Sequence, residues 1–492
     1  MGKGSLRSTL AVSLNNYLDA GAIVAGASGI TLWQNYLGLS EMHLGWLNAI
    51  SANALGAAIG AIIGGFLADK YGRKFIFTYN LLVYMLGVLL VMCSVNFPML
   101  LAGFLVTGIS VGVGVPASWT YISESSEVHN RGRNICISQM SWGMGPMIIL
   151  LFGMLFAPGG YLYGIVESLA HGVLGADAAE ASVQVFSSRV VFLTLFIVAF
   201  VAWTLQRQLE ESKEWDTRPT PQPLPCREGS GHSEQLGQSP LIPEEIVSTP
   251  RPTRAIAESE RLATEGRMER TGGGSSIVSN IRALFTNRIA VRTVVFLAVI
   301  YLTWNLVASV MGFFQPHIYE TAGGLSNEYA NLLSCIGWLV VVVITFFLSF
   351  IIDRLPHRLF YVLGLVAALA TWVVIISGVT GIGGLWAFSI LWGVNGGLSV
   401  QIFYALWGSE LFPAKFRAGA QGLMFFIVRG LSAVWGLVFT YIYGENGQGF
   451  TLAAWCMIAL LLISLVVGVI GAPNTRGKSL KQITEERYGK TI

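Results

Sequence analysis

Charge is what this chain has least of. Charged residues fill 12% of its 492 positions and hydrophobic residues 53%, whereas a soluble globular chain carries about 25% charged residues. A water-soluble domain with an ordinary surface is excluded, and a polytopic membrane protein is indicated. The net charge of +3 says little by itself; where the positive charges fall says more. No metal-binding or nucleotide-binding motif is present. No cofactor and no nucleic-acid partner is therefore expected.

Long apolar runs take up the space that charge leaves. Twelve stretches are long enough to cross ~30 Å of hydrocarbon as a helix: 11–33, 44–68, 75–95, 99–123, 134–157, 188–208, 294–318, 329–352, 359–379, 385–408, 418–443 and 450–471. Lys and Arg are missing from every odd-numbered gap between them, including the long one at 158–187. The even-numbered gaps hold Lys70, Arg73 and Lys74, then Arg131 and Arg133, then a long run, then Arg354 and Arg358, then Lys415 and Arg417. The positive-inside rule then puts both termini in the cytoplasm of a multi-pass protein of the inner (plasma) membrane. Asn15, Asn16 and Asp19 within the first stretch do not suit a cleavable signal peptide. None of the five cysteines falls in an outer gap, so no disulfide framework is expected.

These runs divide the chain into a six-helix bundle at 1–208, a connection at 209–288, a second six-helix bundle at 289–471 and a cytoplasmic tail at 472–492. Half of the 16 prolines fall between Pro219 and Pro252, among Ser, Glu, Arg, Gly and Gln. Such a segment cannot bury enough apolar surface to offset its ordering entropy. Residues 216–275 read as a mostly disordered tether, with a regulatory role as the alternative.

A polar signature occurs twice. Asp69-Lys70-Tyr71-Gly72-Arg73-Lys74 is followed by Ser123-Glu124 and Arg131; Asp353-Arg354-Leu355-Pro356-His357-Arg358 is followed by Ser409-Glu410 and Arg417. The offsets are 284 (353 − 69), 286 (410 − 124) and 286 (417 − 131). A fixed offset means one unit duplicated, and two such halves related by an axis along the membrane normal are a transporter architecture. Carboxylates and arginines at helix ends on one rim can pair across helices and with helix termini. Asp69, Arg73, Glu124, Arg131, Asp353, Arg354, Glu410 and Arg417 are thus candidates for a cytoplasmic gate. As exposed pairs they would contribute about 0–1 kcal/mol each, so a network is required. The alternative is that these charges only enforce topology.

These motifs resemble those of the major facilitator superfamily and, within it, the sugar porter family. Residues 64–74 are similar to its loop 2–3 signature, and Glu124 with Arg131-Gly132 to its pattern after helix 4. Ser409-Glu410-Leu411-Phe412-Pro413 with Arg417 is similar to the partner pattern after helix 10. Glu211-Ser212 with Trp215 and Pro473-Asn474-Thr475-Arg476-Gly477 sit where that family has motifs after helices 6 and 12. The resemblance implies an all-α membrane fold of twelve helices in two pseudo-symmetric bundles, and the gate role for the rim charges. It implies no enzyme. Gly108-Ile109-Ser110-Val111-Gly112 has nucleophile-elbow spacing but no strand-turn-helix context. Gly26-Ala27-Ser28-Gly29 looks like a protease motif, but no histidine lies deep in a helix.

Two ionisable residues fall near mid-membrane. Asp19 lies about nine positions, or ~14 Å, into the first stretch, and Arg429 about eleven positions, or ~16 Å, into the eleventh. A charge there costs roughly 2.5–3.5 kcal/mol unless it meets water or a partner. Asp19 is either a proton-coupling group or a structural hydrogen-bonding group beside Asn15. Arg429 binds an anionic substrate group, pairs with an acid, or bonds helix carbonyls. The resemblance implies an arginine in helix 4 beside the Asp, but Phe104 stands there, and much of the family's sugar-reading pattern is replaced. Gln139 does match a substrate-contacting glutamine of the family.

The cavity candidates are Gln139 and Trp142 in helix 5, Tyr301, Asn305 and Ser309 in helix 7, and Trp392, Asn395 and Ser399 in helix 10, with Arg429. Amides and hydroxyls beside aromatic faces suit a polyhydroxylated ligand; the same residues also serve as interhelical packing. The expected activity is alternating-access transport of a sugar, polyol or related metabolite, with a proton, by a monomer in the bilayer. The alternatives are an organic-anion carrier using Arg429, or a nutrient receptor that does not transport.

Overall fold

The structure is a computed structural model that describes residues 3–50, 54–211, 284–321, 324–325, 327–377, 381–414, 417–443 and 449–489. The tether read at 216–275 lies outside the described residues. Among the described residues the chain is all-helical, without a strand. The first bundle contains α1 (Lys3–Ser28), α2 (Ile30–Leu37), α3 (Glu41–Ile50), α4 (Leu55–Tyr71), α5 (Arg73–Met92), α6 (Phe97–Ser125), α7 (Arg131–Phe156), α8 (Tyr163–Leu174) and α9 (Glu180–Gln206). The second contains α10 (Arg288–Thr321), α11 (Asn327–Ile351), α12 (His357–Ile376), α13 (Ile382–Gly397), α14 (Val400–Glu410), α15 (Arg417–Tyr443) and α16 (Phe450–Gly471), and α17 (Leu480–Tyr488) closes the chain.

Ten helical spans among the described residues are long and apolar enough to cross a membrane, counting α13 and α14 together as one. The remaining two crossings are the least regular. The first, α1–α2, carries Asn15, Asn16 and Asp19; in the second, α3–α4, the longer helix has only 17 residues. Two expectations change. The gap at 158–187 is not all loop: α8 fills part of it and α9 starts at Glu180. The tenth crossing is not one helix. It breaks between α13 and α14, after the Gly396-Gly397 pair, with Ser399 as the residue preceding α14. Irregular backbone at membrane depth is tolerated where it lines a cavity, and the break does so.

Lipid tails are as apolar as leucine, so helices hold together by close packing rather than by the hydrophobic effect. Small residues set that packing. The stripe Gly56, Gly60, Gly64 of α4 lies against Gly108, Ile109 and Val113 of α6. Between the bundles, α4 and α15 meet backbone to backbone. A Cβ on Gly65 would stand 2.6 Å from the Ala418 carbonyl oxygen, and one on Gly422 would run into the Ala61 carbonyl oxygen. In α7, Pro146 lacks the N–H that would bond the Trp142 carbonyl. Trp142 and Pro146 both line the central cavity.

Candidate functional site

The duplicated signature closes one rim by reciprocal ties. Glu124 of α6 accepts from Arg417 Nη1 of α15 at 2.7 Å, and Glu410 of α14 accepts from Arg131 Nη1 of α7 at 2.9 Å. Each half's glutamate takes the other half's arginine. The aspartates act the same way on backbone. Asp69 accepts from the N–H groups of Ala418 (3.2 Å) and Gly419 (2.6 Å), in the first turn of α15. Asp353 accepts from Gly132 and Arg133, both at 2.9 Å, in the first turn of α7. An α-helix leaves those first N–H groups without intrahelical partners and carries partial positive charge there. Each bundle therefore supplies the N-terminal cap of a helix in the other. Burial pushes the Asp353 carboxyl above the ordinary range, against the pull of those two N–H groups.

The rim differs from expectation in two respects. Its ion pairs are not exposed: the side chains of Arg73, Glu124, Arg131, Glu410 and Arg417 are at most 4% accessible. The weak-pair figure for surface charges does not apply, because breaking a buried pair costs about 3–5 kcal/mol. The duplication is also imperfect. Arg73 donates to Glu124 at 3.0 Å, but the position 284 residues later is His357, which is buried against the Phe403 ring at 6.2 Å. The expected gate residue Arg354 stands apart from the ties. Its side chain is exposed, and its carbonyl accepts from Arg476 Nη1 at 2.9 Å. It follows Asp353 on the turn that leaves the membrane, where the backbone directs it outward. Glu211, beyond the last turn of α9, accepts from the Arg73 and Lys74 N–H groups at 3.0 Å each and caps α5.

Above the rim lies an aromatic layer. Trp119 of α6 meets Tyr404 of α14 and Phe425 of α15 edge-on, at 5.7 and 5.9 Å between centroids. Tyr301 stacks on Tyr404 at 4.1 Å, with 7° between ring planes. Tyr301 was expected in the cavity wall; the structure puts it in this layer, fully buried, because stacking on Tyr404 turns the ring away from the space above.

Beyond the aromatic layer is a cavity of about 60 Å³, lined from both bundles. That is room for several waters. Of the expected wall residues, Gln139, Trp142, Asn305, Ser309, Trp392, Asn395, Ser399 and Arg429 all line it. Asn395 Oδ1 accepts from Trp304 Nε1 at 3.2 Å, and Asn305 Nδ2 donates to Ser432 at 2.8 Å. Trp142 and Trp338 meet across the bundles at 5.4 Å. The sequence reading missed Trp304, Gln315, Trp338 and Gln401 in the wall. Gln401 follows directly on the helix break; a Gly-Gly pair inside an apolar run was the available signal.

The two deep charges meet. Asp19 Oδ2 accepts from Trp142 Nε1 at 3.0 Å and lies 3.7 Å from Arg429 Nη2. Asn15 is not the partner of Asp19; it donates to Ser118 at 2.8 Å and accepts from Gln206 at 3.1 Å. Phe104, where an arginine was looked for, packs against the Phe192 ring at 5.9 Å.

A family model described as Major Facilitator Superfamily matches residues 9–437. The minor myo-inositol transporter IolF of Bacillus subtilis (strain 168) is 36% identical over 484 residues, which cover 98% of this chain and 94% of that protein. The glucose transporter GlcP of Staphylococcus epidermidis is 22% identical over 90% of this chain and 88% of its own length. Among solved structures, the proton:xylose symporter XylE bound to 6-bromo-6-deoxy-D-glucose superposes with a TM-score of 0.70 at 15% identity, covering 98% of this chain and 99% of that one. At that identity the likeness shows the fold alone.

Proposed function

This chain belongs to the Major Facilitator Superfamily, and we propose that it carries a cyclitol, sugar or related polyol across the bacterial inner membrane by alternating access, as a proton symporter. One observation carries the reading. A cavity walled by both bundles, mostly apolar but set with amide and hydroxyl side chains, lies above a rim that reciprocal buried ties hold shut. The similarity to a myo-inositol transporter over nearly the whole chain supports the ligand class. Amide groups beside Trp142, Trp304 and Trp392 match ring hydroxyls and apolar C–H faces.

In this reading the bundles at 1–208 and 289–471 rock about the cavity, joined by 209–288. Both termini and the closed rim face the cytoplasm, in keeping with the placement of Lys and Arg. Asp69, Arg73, Glu124, Arg131, Asp353, Glu410 and Arg417 hold the gate. Gln139, Trp142, Asn305, Ser309, Trp392, Asn395, Ser399 and Arg429 face the ligand, and Asp19 takes the proton. Opening separates ties that each bundle contributes to the other, so the rim releases as a unit rather than pair by pair.

The test is counterflow of labelled myo-inositol in vesicles holding the full chain. Wild type exchanges label, excess unlabelled polyol competes, and Asn395→Ala loses exchange. A second reading, an organic-anion carrier, draws on Arg429 in the cavity wall; it predicts competition by carboxylates and none by neutral polyols. Ligand binding without flux would instead identify a receptor and sink the transport reading.

A further inference from the structure

Resting on that reading, we propose that the ligand is hydrogen-bonded at the break in the tenth crossing, by the amides of Asn395 and Gln401, and that Gln401 is a specificity-determining residue. The wall on α10 gives the ligand surface; the break gives it bonds.

An account of the wall donors carries the distinction. On α10, Asn305 Nδ2 donates to Ser432 Oγ at 2.8 Å, Ser309 Oγ to the Leu306 carbonyl at 3.1 Å, and Gln315 Nε2 to the Tyr319 hydroxyl at 2.8 Å. On α7, Trp142 Nε1 is taken up by Asp19 at 3.0 Å. These groups are spent within the protein. Gln139 Nε2, Asn395 Nδ2 and Gln401 Nε2 are buried and have no acceptor among the described residues. Their side chains are 4%, 1% and 3% exposed, and all three line the cavity. Trp304 decides which end of Asn395 is left over. An indole N–H only donates, so it takes the Asn395 carbonyl oxygen at 3.2 Å and leaves Nδ2 as the free end.

The break is what brings two of these amides to one space. Asn395 and Gln401 are six positions apart (401 − 395). On an unbroken helix of 3.6 residues per turn they would lie about 120° apart around the axis. The chain instead interrupts at Leu398-Ser399, and both side chains line the same cavity. The interruption is built into the packing. A Cβ on Gly396 would stand 2.6 Å from the Val341 side chain, and one on Gly397 2.5 Å from Ile344 Cβ, so α13 lies close on α11 there. The Gly397 carbonyl accepts from Thr345 Oγ1 of α11 at 3.2 Å.

Free N–H groups call for a ligand that presents lone pairs, as ring hydroxyl oxygens do. Gln139 belongs to the first bundle, and Asn395 and Gln401 to the second. A ligand that accepts from all three is held by both. Without ligand an unmet buried amide is a cost to the fold, and the protein carries that cost at Gln401 for the sake of binding.

The test compares the full-length wild type with Gln401→Leu in detergent, first empty and then with labelled myo-inositol. The empty variant should melt at a higher temperature than wild type, because an apolar chain of similar size replaces the unmet amide. It should bind myo-inositol about tenfold more weakly. Mono-deoxy derivatives of myo-inositol then compete for the label. A derivative that lacks a contacted hydroxyl competes about tenfold less well than the parent against wild type, and for one such derivative the penalty disappears in Gln401→Leu. Wild-type affinity in Gln401→Leu, or penalties that the substitution leaves unchanged, overturns the proposal. A lower melting temperature of the empty variant also overturns it, since that marks an amide that holds the fold. If wild type binds carboxylates and no polyol, the polyol reading fails. An affinity for carboxylate that then falls in Gln401→Leu keeps the break as the binding site, and one that does not fall sinks it.

Discussion

The rim and the cavity lie only about 18 Å apart along α15, from Arg417 to Arg429 at 1.5 Å per residue, yet they are built on opposite plans. At the rim the ties that cross between the bundles come in matched pairs: Glu124 with Arg417 answers Glu410 with Arg131, and Asp69 on α15 answers Asp353 on α7. In the cavity nothing is reciprocal. The second bundle supplies Trp304, Asn305, Ser309, Trp392, Asn395 and Arg429, while the first supplies chiefly Gln139 and Trp142. Contacts matched across the two bundles hold one conformational state. The unmatched cavity wall is free to vary on each side without loosening that closure.

Four substitutions separate the two plans, from the largest effect to the smallest. Glu124→Ala strikes the rim hardest, because it removes the carboxylate that two buried guanidinium groups, Arg73 and Arg417, share. Closure should weaken by about 3–5 kcal/mol, seen as a longer distance across the rim and a lower melting temperature in detergent. A Glu124→Ala chain that closes normally would refute the gate. Gly422→Val forces α15 off the Ala61 carbonyl of α4. A cost of about 1–3 kcal/mol is expected from overpacking, with cross-linking between α4 and α15 reduced and the first bundle's own contacts kept.

The cavity is more lenient. Asn395→Ala removes the acceptor of Trp304 Nε1 and one wall donor. Equilibrium binding of labelled myo-inositol should weaken by about 1–3 kcal/mol, with rim distances unchanged; unaltered affinity would take Asn395 out of the binding wall. Arg354→Ala should leave rim distance, melting and transport at wild-type values, since that side chain points to solvent. A clear loss there would return Arg354 to the gate.

These expectations track what could be read without coordinates. The rim was legible because its residues recur at a fixed offset, and a duplicated charge next to an apolar run has little to do but meet its copy. That Asp69 and Asp353 would cap helices of the opposite bundle was not legible, since helix termini carry no sequence label for their partners. The ungapped repeat also misled at Arg354, where adjacency to Asp353 stood in for direction. The share of the cavity wall on α10 followed from the four-residue spacing of Asn305 and Ser309. The same spacing wrongly admitted Tyr301, because period alone does not say that Tyr404 will stack on a ring.

By itself the sequence determined the environment, the number of crossings, the duplication and which end of each helix bears charge. Hydropathy and charge act locally, residue by residue along the chain, and the bilayer reads them that way. Only the tertiary structure decided that Asp19 meets Arg429 rather than a neighbour on its own half, that the tenth crossing breaks beside the cavity, and that the rim charges are buried. Those outcomes depend on how closely backbones approach, at Gly65 and Gly422 above all, and on which side chains then compete for one space.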